Sequence, residues 1–130
     1  MKSLRVTLSD DHPVVLAGIK ALLSGLEGVE VVGEATTGPM AKQMVIECLP
    51  DIAIIDISLP ELNGIELTRQ ILALAPSIKV LALTVHEDRA YVQPMLQAGA
   101  RGYLLKRSAA DELSRALWAI ADGGMYVDPA

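Results

Sequence analysis

Residues 51–60 read DIAIIDISLP, and the fold follows from how this stretch is placed. It is a run of Ile and Ala bounded by Pro50 and Pro60 and broken by one carboxylate, Asp56. An unbroken apolar run rich in β-branched residues marks a strand buried on both faces, as in the middle of a parallel sheet. Such a strand delivers its last polar residue to the carboxyl-terminal edge, where open α/β sheets place ligands and chemistry. Asp56 is therefore the first candidate functional residue. Aspartate also caps turns, and on this stretch alone both readings stand.

The totals narrow the field. A chain of 130 residues favours one domain with a core large enough to need no covalent staples. Its single cysteine, Cys48, excludes an internal disulfide and a cysteine-based zinc site, in keeping with a reducing compartment. No apolar stretch approaches a membrane span, and MKSLRVTLSDD meets two acids before any signal-like segment develops, so a cytoplasmic protein is expected. Net charge is −5, with no basic stripe and only three Tyr and one Trp, which argues against direct nucleic-acid binding.

Working outward, strand–helix units alternate. Leu4 to Ser9 is a strand candidate ending in Asp10 and Asp11, and His12-Pro13 opens a helix with His12 read as its cap in preference to a ligand beside the two acids. Gly25 and Gly28 stop that helix, and Val29 to Ala35 is a second strand. Gly38-Pro39 opens a second helix, with Met40, Met44, Val45 and Cys48 on one side, ending at Leu49-Pro50. Asn63 with Glu66 forms a capping-box-like start for a third helix, which Pro76 ends.

Ile78 to Val85 is a fourth strand. Residues 89–98 read as a helix, but Pro94 in an ordinary helix interior costs about 3 kcal/mol, so this element is expected to be short, kinked or started late. Arg101 to Leu105 is a short fifth strand, and Ser108 with Asp111 caps a last helix that Gly123-Gly124 closes. Trp118 lies off the main apolar stripe of that helix, where a partly buried packing role is expected ahead of partial exposure at a dimer or partner surface. The pattern implies a doubly wound α/β sheet of five parallel strands and five helices, with one switch point beside the first strand. Residues 1–124 would form the domain and residues 125–130 the start of a linker.

Asp10, Asp11, Asp56, Thr84 and Lys106 then fall at the carboxyl ends of strands one, three, four and five. Carboxylates gathered within a few ångströms repel by several kcal/mol at an effective dielectric near 20. Lys106 offers one offsetting charge and a hard divalent cation two; Mg²⁺ takes one or two carboxylates together with phosphate oxygens. A carboxylate beside a cation, with a hydroxyl and an ammonium nearby, suits phosphoryl transfer to an acidic side chain. Singly, each has an ordinary explanation as a cap, a strand residue or a solvated charge.

Together these residues resemble the receiver domain of two-component response regulators: Asp10-Asp11, D-x-x-x-P at 56–60, Thr84 and Lys106. LSDDHPVVLAGIKALL, PELNGIEL and QAGARGYLLK are similar to the NarL/FixJ (LuxR-type) subfamily. The resemblance spans the chain and implies a flavodoxin-like fold of strand order 2-1-3-4-5. It further implies that Asp56 accepts a phosphoryl group from a sensor histidine kinase. Asp10, Asp11, Asp56 and the Ser58 backbone carbonyl would hold Mg²⁺. Thr84 and Lys106 would bind the phosphoryl group, Thr84 and Tyr103 would form the switch, and Ser58 and His86 would flank the site and tune the phosphoryl lifetime.

A DNA-binding helix-turn-helix output domain is implied as well and is expected to be absent from these residues, and a homodimer is among the partners the resemblance allows. The chain would catalyse only its own phosphorylation and dephosphorylation. Two positions depart from the commonest pattern: Leu59 where Met is frequent, and Pro94 in a helix of the signalling surface.

Three other readings compete. A phosphatase of the haloacid dehalogenase type wants a second Asp two residues past the nucleophile, where Ser58 stands. Flavin binding needs a Ser/Thr/Gly-rich phosphate loop after the first strand, where Asp10 and Asp11 would repel a phosphate. A pseudo-receiver serving only as an interaction module would have no need of the full acidic set.

Overall fold

The computed structural model describes residues 3–85 and 89–128. Among the described residues six strands alternate with five helices: β1 (Leu4–Ser9), α1 (Pro13–Ser24), β2 (Val29–Ala35), α2 (Gly38–Cys48), β3 (Ile52–Asp56), α3 (Gly64–Leu74), β4 (Lys79–Thr84), α4 (Val92–Gln97), β5 (Gly102–Leu105), α5 (Ala109–Ala121) and β6 (Tyr126–Val127). Every ladder is parallel, and the strand order is β2-β1-β3-β4-β5-β6.

The alternation of side chains along β3 divides the core into two layers, because successive residues of a strand point to opposite faces. Ile52 and Ile54 join Leu81, Leu83 and Leu104 under α1 and α5, where Leu23, Leu113, Leu117 and Ile120 are buried. Ala53 and Ile55 join Val80, Ala82 and Tyr103 under α2, α3 and α4, against Val45, Leu67, Ile71 and Met95. All five residues of β3 are buried. A strand enclosed on both faces fixes its own height in the sheet, and so fixes where Asp56 emerges.

The expected five-stranded sheet has a sixth strand. Past the turn at Gly123, Tyr126 donates its amide to the Arg101 carbonyl at 3.0 Å and Asp128 donates to the Tyr103 carbonyl at 2.8 Å. The segment expected to begin a linker thus runs beside β5 as far as Asp128. Two residues are too few to show a period of two, so the sequence pattern is silent there.

The helix starts differ in their chemistry. Asn63 caps α3 as expected, its side-chain oxygen accepting from the amides of Ile65 and Glu66 at 3.0 Å each, while Glu66 pairs with Arg69. Thr37 caps α2, and the stripe that α2 buries runs through Ala41 and Val45, leaving Met40 exposed. Ser108 makes no side-chain cap bond, because a 3-10 turn over Lys106–Ser108 leads directly into α5. A second 3-10 turn, Arg89–Tyr91, precedes α4. Pro94 is consequently the third residue of a helix that starts late, within the first turn, where amides have no intrahelical acceptor to lose. Trp118 is 40% exposed, and its ring lies against Gly28, where an added Cβ would sit 3.5 Å away.

Candidate functional site

Two strand ends at the carboxyl edge of the sheet, those of β1 and β3, bring the acids together. Asp10 follows β1 directly, its amide held by the Ala35 carbonyl of β2 at 3.0 Å, and Asp56 is the last residue of β3. Both side chains are about 1% exposed, whereas Asp11 is partly exposed. Oxygens of Asp10, Asp11 and Asp56 and a ring nitrogen of His12 all lie within 4.8 Å of one another.

Lys106 enters from the end of β5 and is nearly buried. Its ammonium nitrogen lies 2.6 Å from Asp10 Oδ2 and 3.2 Å from Asp56 Oδ2. Asp10 Oδ2 accepts no hydrogen bond, so its close approach to Lys106 is an ion contact without hydrogen-bond alignment. Asp11 Oδ1 is likewise buried and accepts none. One ammonium therefore contacts two of the three clustered carboxylates, and two buried oxygens keep lone pairs free of hydrogen bonds. Like charges a few ångströms apart repel by about 4 kcal/mol per pair at an effective dielectric of 20. An all-oxygen donor set with surplus negative charge fits a hard divalent cation such as Mg²⁺.

Asp56 is tuned by opposing influences. Burial pushes its carboxyl above the usual carboxylate value of 3.8; the Ser58 amide and Lys106 pull it back, and Asp10 pushes it up again. The Ser58 amide donates to Asp56 Oδ1 at 3.1 Å, leaving Oδ2 facing Lys106. The turn holding Ser58 depends on Gly64. The Gly64 amide donates to the Ile57 carbonyl at 2.8 Å. A Cβ at Gly64 would lie 2.7 Å from the Asp56 carbonyl oxygen and 2.8 Å from the Ile57 Cα, so this close approach admits only glycine.

The other expected site residues fall around this centre. Thr84 is buried at the last position of β4, one residue past Leu83, which pairs with Asp56. Tyr103 lies in the middle of β5 opposite Ala82, buried in the layer under α4. Ser58 is exposed, with its amide on Asp56. His86 lies outside the described residues.

One contributor departs from its expected capping role, and another was not anticipated. His12 sits at the cap position of α1, yet its side chain makes no cap bond. Instead Nδ1 lies 3.1 Å from Asp10 Oδ1, 3.2 Å from Asp11 Oδ1 and 3.8 Å from Asp56 Oδ2. The cue was its place directly after two acids. Asp128 is buried and accepts the Leu105 amide at 2.9 Å, one residue before Lys106. No sequence signal pointed to it.

Known proteins resemble this chain in sequence and in fold. The model of the response regulator receiver domain matches residues 6–118. The transcriptional regulatory protein DegU of Brevibacillus brevis is 38% identical over 126 residues, which are 97% of this chain and 53% of that relative. A two-component response regulator of the LuxR family from Aurantimonas sp. SI85-9A1 superposes with a TM-score of 0.94 at 36% identity, over 98% of this chain and 91% of that one. RcsB, seen as dimers bound to DNA, superposes with a TM-score of 0.89 at 30% identity, over 97% of this chain and 64% of that one. The chain spans about half the length of the DegU relative it matches. With a family match over most of its length, this chain belongs to the response regulator receiver domains, whose general role is phosphorylation-dependent switching in two-component signalling.

Proposed function

We propose that Asp56 is the phosphoacceptor of this receiver. The observation that carries the reading is its place at the end of a fully buried strand, with Asp10 and Lys106 converging on it. A carboxylate oxygen of Asp56 attacks the phosphorus of a phosphohistidine on a sensor histidine kinase. The P–N bond breaks with its electron pair going to the imidazole, and an acyl phosphate forms on Asp56. Asp10, Asp11, Asp56 and the Ser58 backbone carbonyl would hold Mg²⁺, which when bound neutralises phosphoryl charge.

The chain's own groups divide the remaining work. The Ser58 amide orients the acceptor by fixing Oδ1. Lys106 moves from its carboxylate partners to the new phosphoryl oxygens, and Thr84 donates its hydroxyl to them. Tyr103 follows Thr84, which turns a local charge event into a change of the surface formed by α4 and β5. Ser58 and His86 flank the phosphoryl group and set its lifetime, so that substituting either changes the rate of dephosphorylation.

The receiver body expected over residues 1–124 extends through β6 to Asp128, and an output domain would be joined beyond it. The named relatives include a transcriptional regulator and a DNA-bound dimer, which supports a DNA-binding output and a homodimer as the signalling unit. The chain acts on no separate metabolite, and its place is the cytoplasm. Among the described residues no helix is long and apolar enough to cross a membrane.

Intact mass after incubation with acetyl phosphate and Mg²⁺ tests the reading. One labile phosphate is expected on the wild type and none on Asp56→Asn or with EDTA. An adduct that survives in Asp56→Asn would overturn the assignment.

A further inference from the structure

The position of the His12 ring is not explained by helix capping or by phosphoryl transfer. Resting on the reading of the acidic pocket as a divalent-cation site, we propose that His12 is a ligand of that pocket and biases it toward nitrogen-accepting ions such as Zn²⁺ and Co²⁺ over Mg²⁺. Its side chain is spared from capping α1 and turned onto three carboxylates. Two donors bound to one cation at about 2.0–2.1 Å stand roughly 3 Å apart on an octahedral edge and about 3.4 Å apart on a tetrahedral one. The Nδ1 separations of 3.1 Å and 3.2 Å from Asp10 and Asp11 match such edges, and 3.8 Å from Asp56 needs only a small closure.

The chemistry of the donors sets the preference. Mg²⁺ takes oxygen ligands and keeps waters, so an imidazole adds little to its binding. Zn²⁺ and Co²⁺ stand higher in the divalent affinity order, and imidazole suits the later ions. Asp11 Oδ1, one of the oxygens facing Nδ1, is buried and accepts no hydrogen bond, which leaves its lone pairs open to a cation. A late transition ion held through His12 and Asp56 together would also engage the acceptor carboxylate. The pocket would then discriminate among metals at the residue that receives phosphate.

The alternative is that Nδ1–H only donates to Asp10 Oδ1, as a hydrogen bond to an acid. Metal binding to the EDTA-stripped chain separates the two. Co²⁺, Zn²⁺ and Mg²⁺ would be titrated in competition with a chromophoric chelator, and the visible d–d band of Co²⁺ would be recorded, for the wild type, His12→Ala, His12→Gln and His86→Ala. His12 and His86 are the two histidines of the chain. The expected result is Co²⁺ and Zn²⁺ binding weakened roughly tenfold or more in both His12 variants, with Mg²⁺ changed less than about twofold and the Co²⁺ band altered. Equal changes for all three ions, no change for any, or a loss carried by His86→Ala instead would overturn the proposal. A wild type that binds Mg²⁺ and accepts phosphate while His12→Ala keeps full Co²⁺ affinity removes His12 alone. A wild type that binds none of the ions overturns the pocket reading with it.

Discussion

Lys106 Nζ stands 2.6 Å from Asp10 Oδ2, closer than its 3.2 Å approach to Asp56 Oδ2. The ammonium is thus shared: its shorter ion contact goes to Asp10, while its hydrogen bond goes to Oδ2 of the proposed acceptor, Asp56. Removing one partner of a buried ion cluster strands the charges that remain. In EDTA, Lys106→Ala should lower the unfolding free energy by about 3–5 kcal/mol, read from the urea midpoint. Millimolar Mg²⁺ should restore more stability to the variant than it adds to the wild type. Equal stabilisation of both would mean that the cation does not take over the charge balance.

Asp56 carries a pH signature. Its folded carboxyl is raised above 3.8, first by burial, so the folded state binds the proton more tightly than the unfolded one. The stability it contributes is full below 3.8 and is lost as pH rises through the folded value. Asn has no such loss. Metal-free Asp56→Asn should melt a few degrees above the wild type at pH 7, with the gap closing as the pH falls back through that window. Thermal melts across a pH series check this; a gap that widens toward acid has the wrong sign.

Gly64 tests how the acceptor is held. A methyl group there meets the Asp56 carbonyl and the Ile57 Cα, both backbone, so the chain must shift to admit it. Gly64→Ala should cost about 1–3 kcal/mol and slow phosphorylation by acetyl phosphate, because the displaced turn carries the Ser58 amide. A destabilised variant with wild-type labelling kinetics would separate the turn from the chemistry.

Asp128→Ala should remove the acceptor of the Leu105 amide, at a cost of about 1–2 kcal/mol. Hydrogen exchange should quicken at Leu105 above all, with neighbouring amides of α5 little changed. Unaltered protection at Leu105 would show that another acceptor replaces the carboxylate.

The parts of this fold that could be read beforehand are those in which a local signal and the tertiary arrangement agree. β1 and β2 begin and end where their sequence patterns do, and the run after Pro50 became the buried β3. Pro94 conflicts with a helix over residues 89–98, and a 3-10 turn that moves the helix start to Val92 resolves the conflict. The acids and Lys106 could be placed at one edge because a parallel sheet fixes where strands finish. His12 could not be placed, since a residue before Pro13 has a capping role available and only the loop geometry decides that its ring turns to the acids. Asp128 and Gly64 act through distances to backbone that no periodicity reports.

β6 gives the chain a mechanical terminus. The bonds joining Tyr126 to Arg101 and Asp128 to Tyr103 and Leu105 form a short row along β5. A load applied beyond Asp128 would reach that row at its last member first. That member is attached one residue from Lys106, so tension on the tail would be felt at the ammonium before it reached the interior of the sheet.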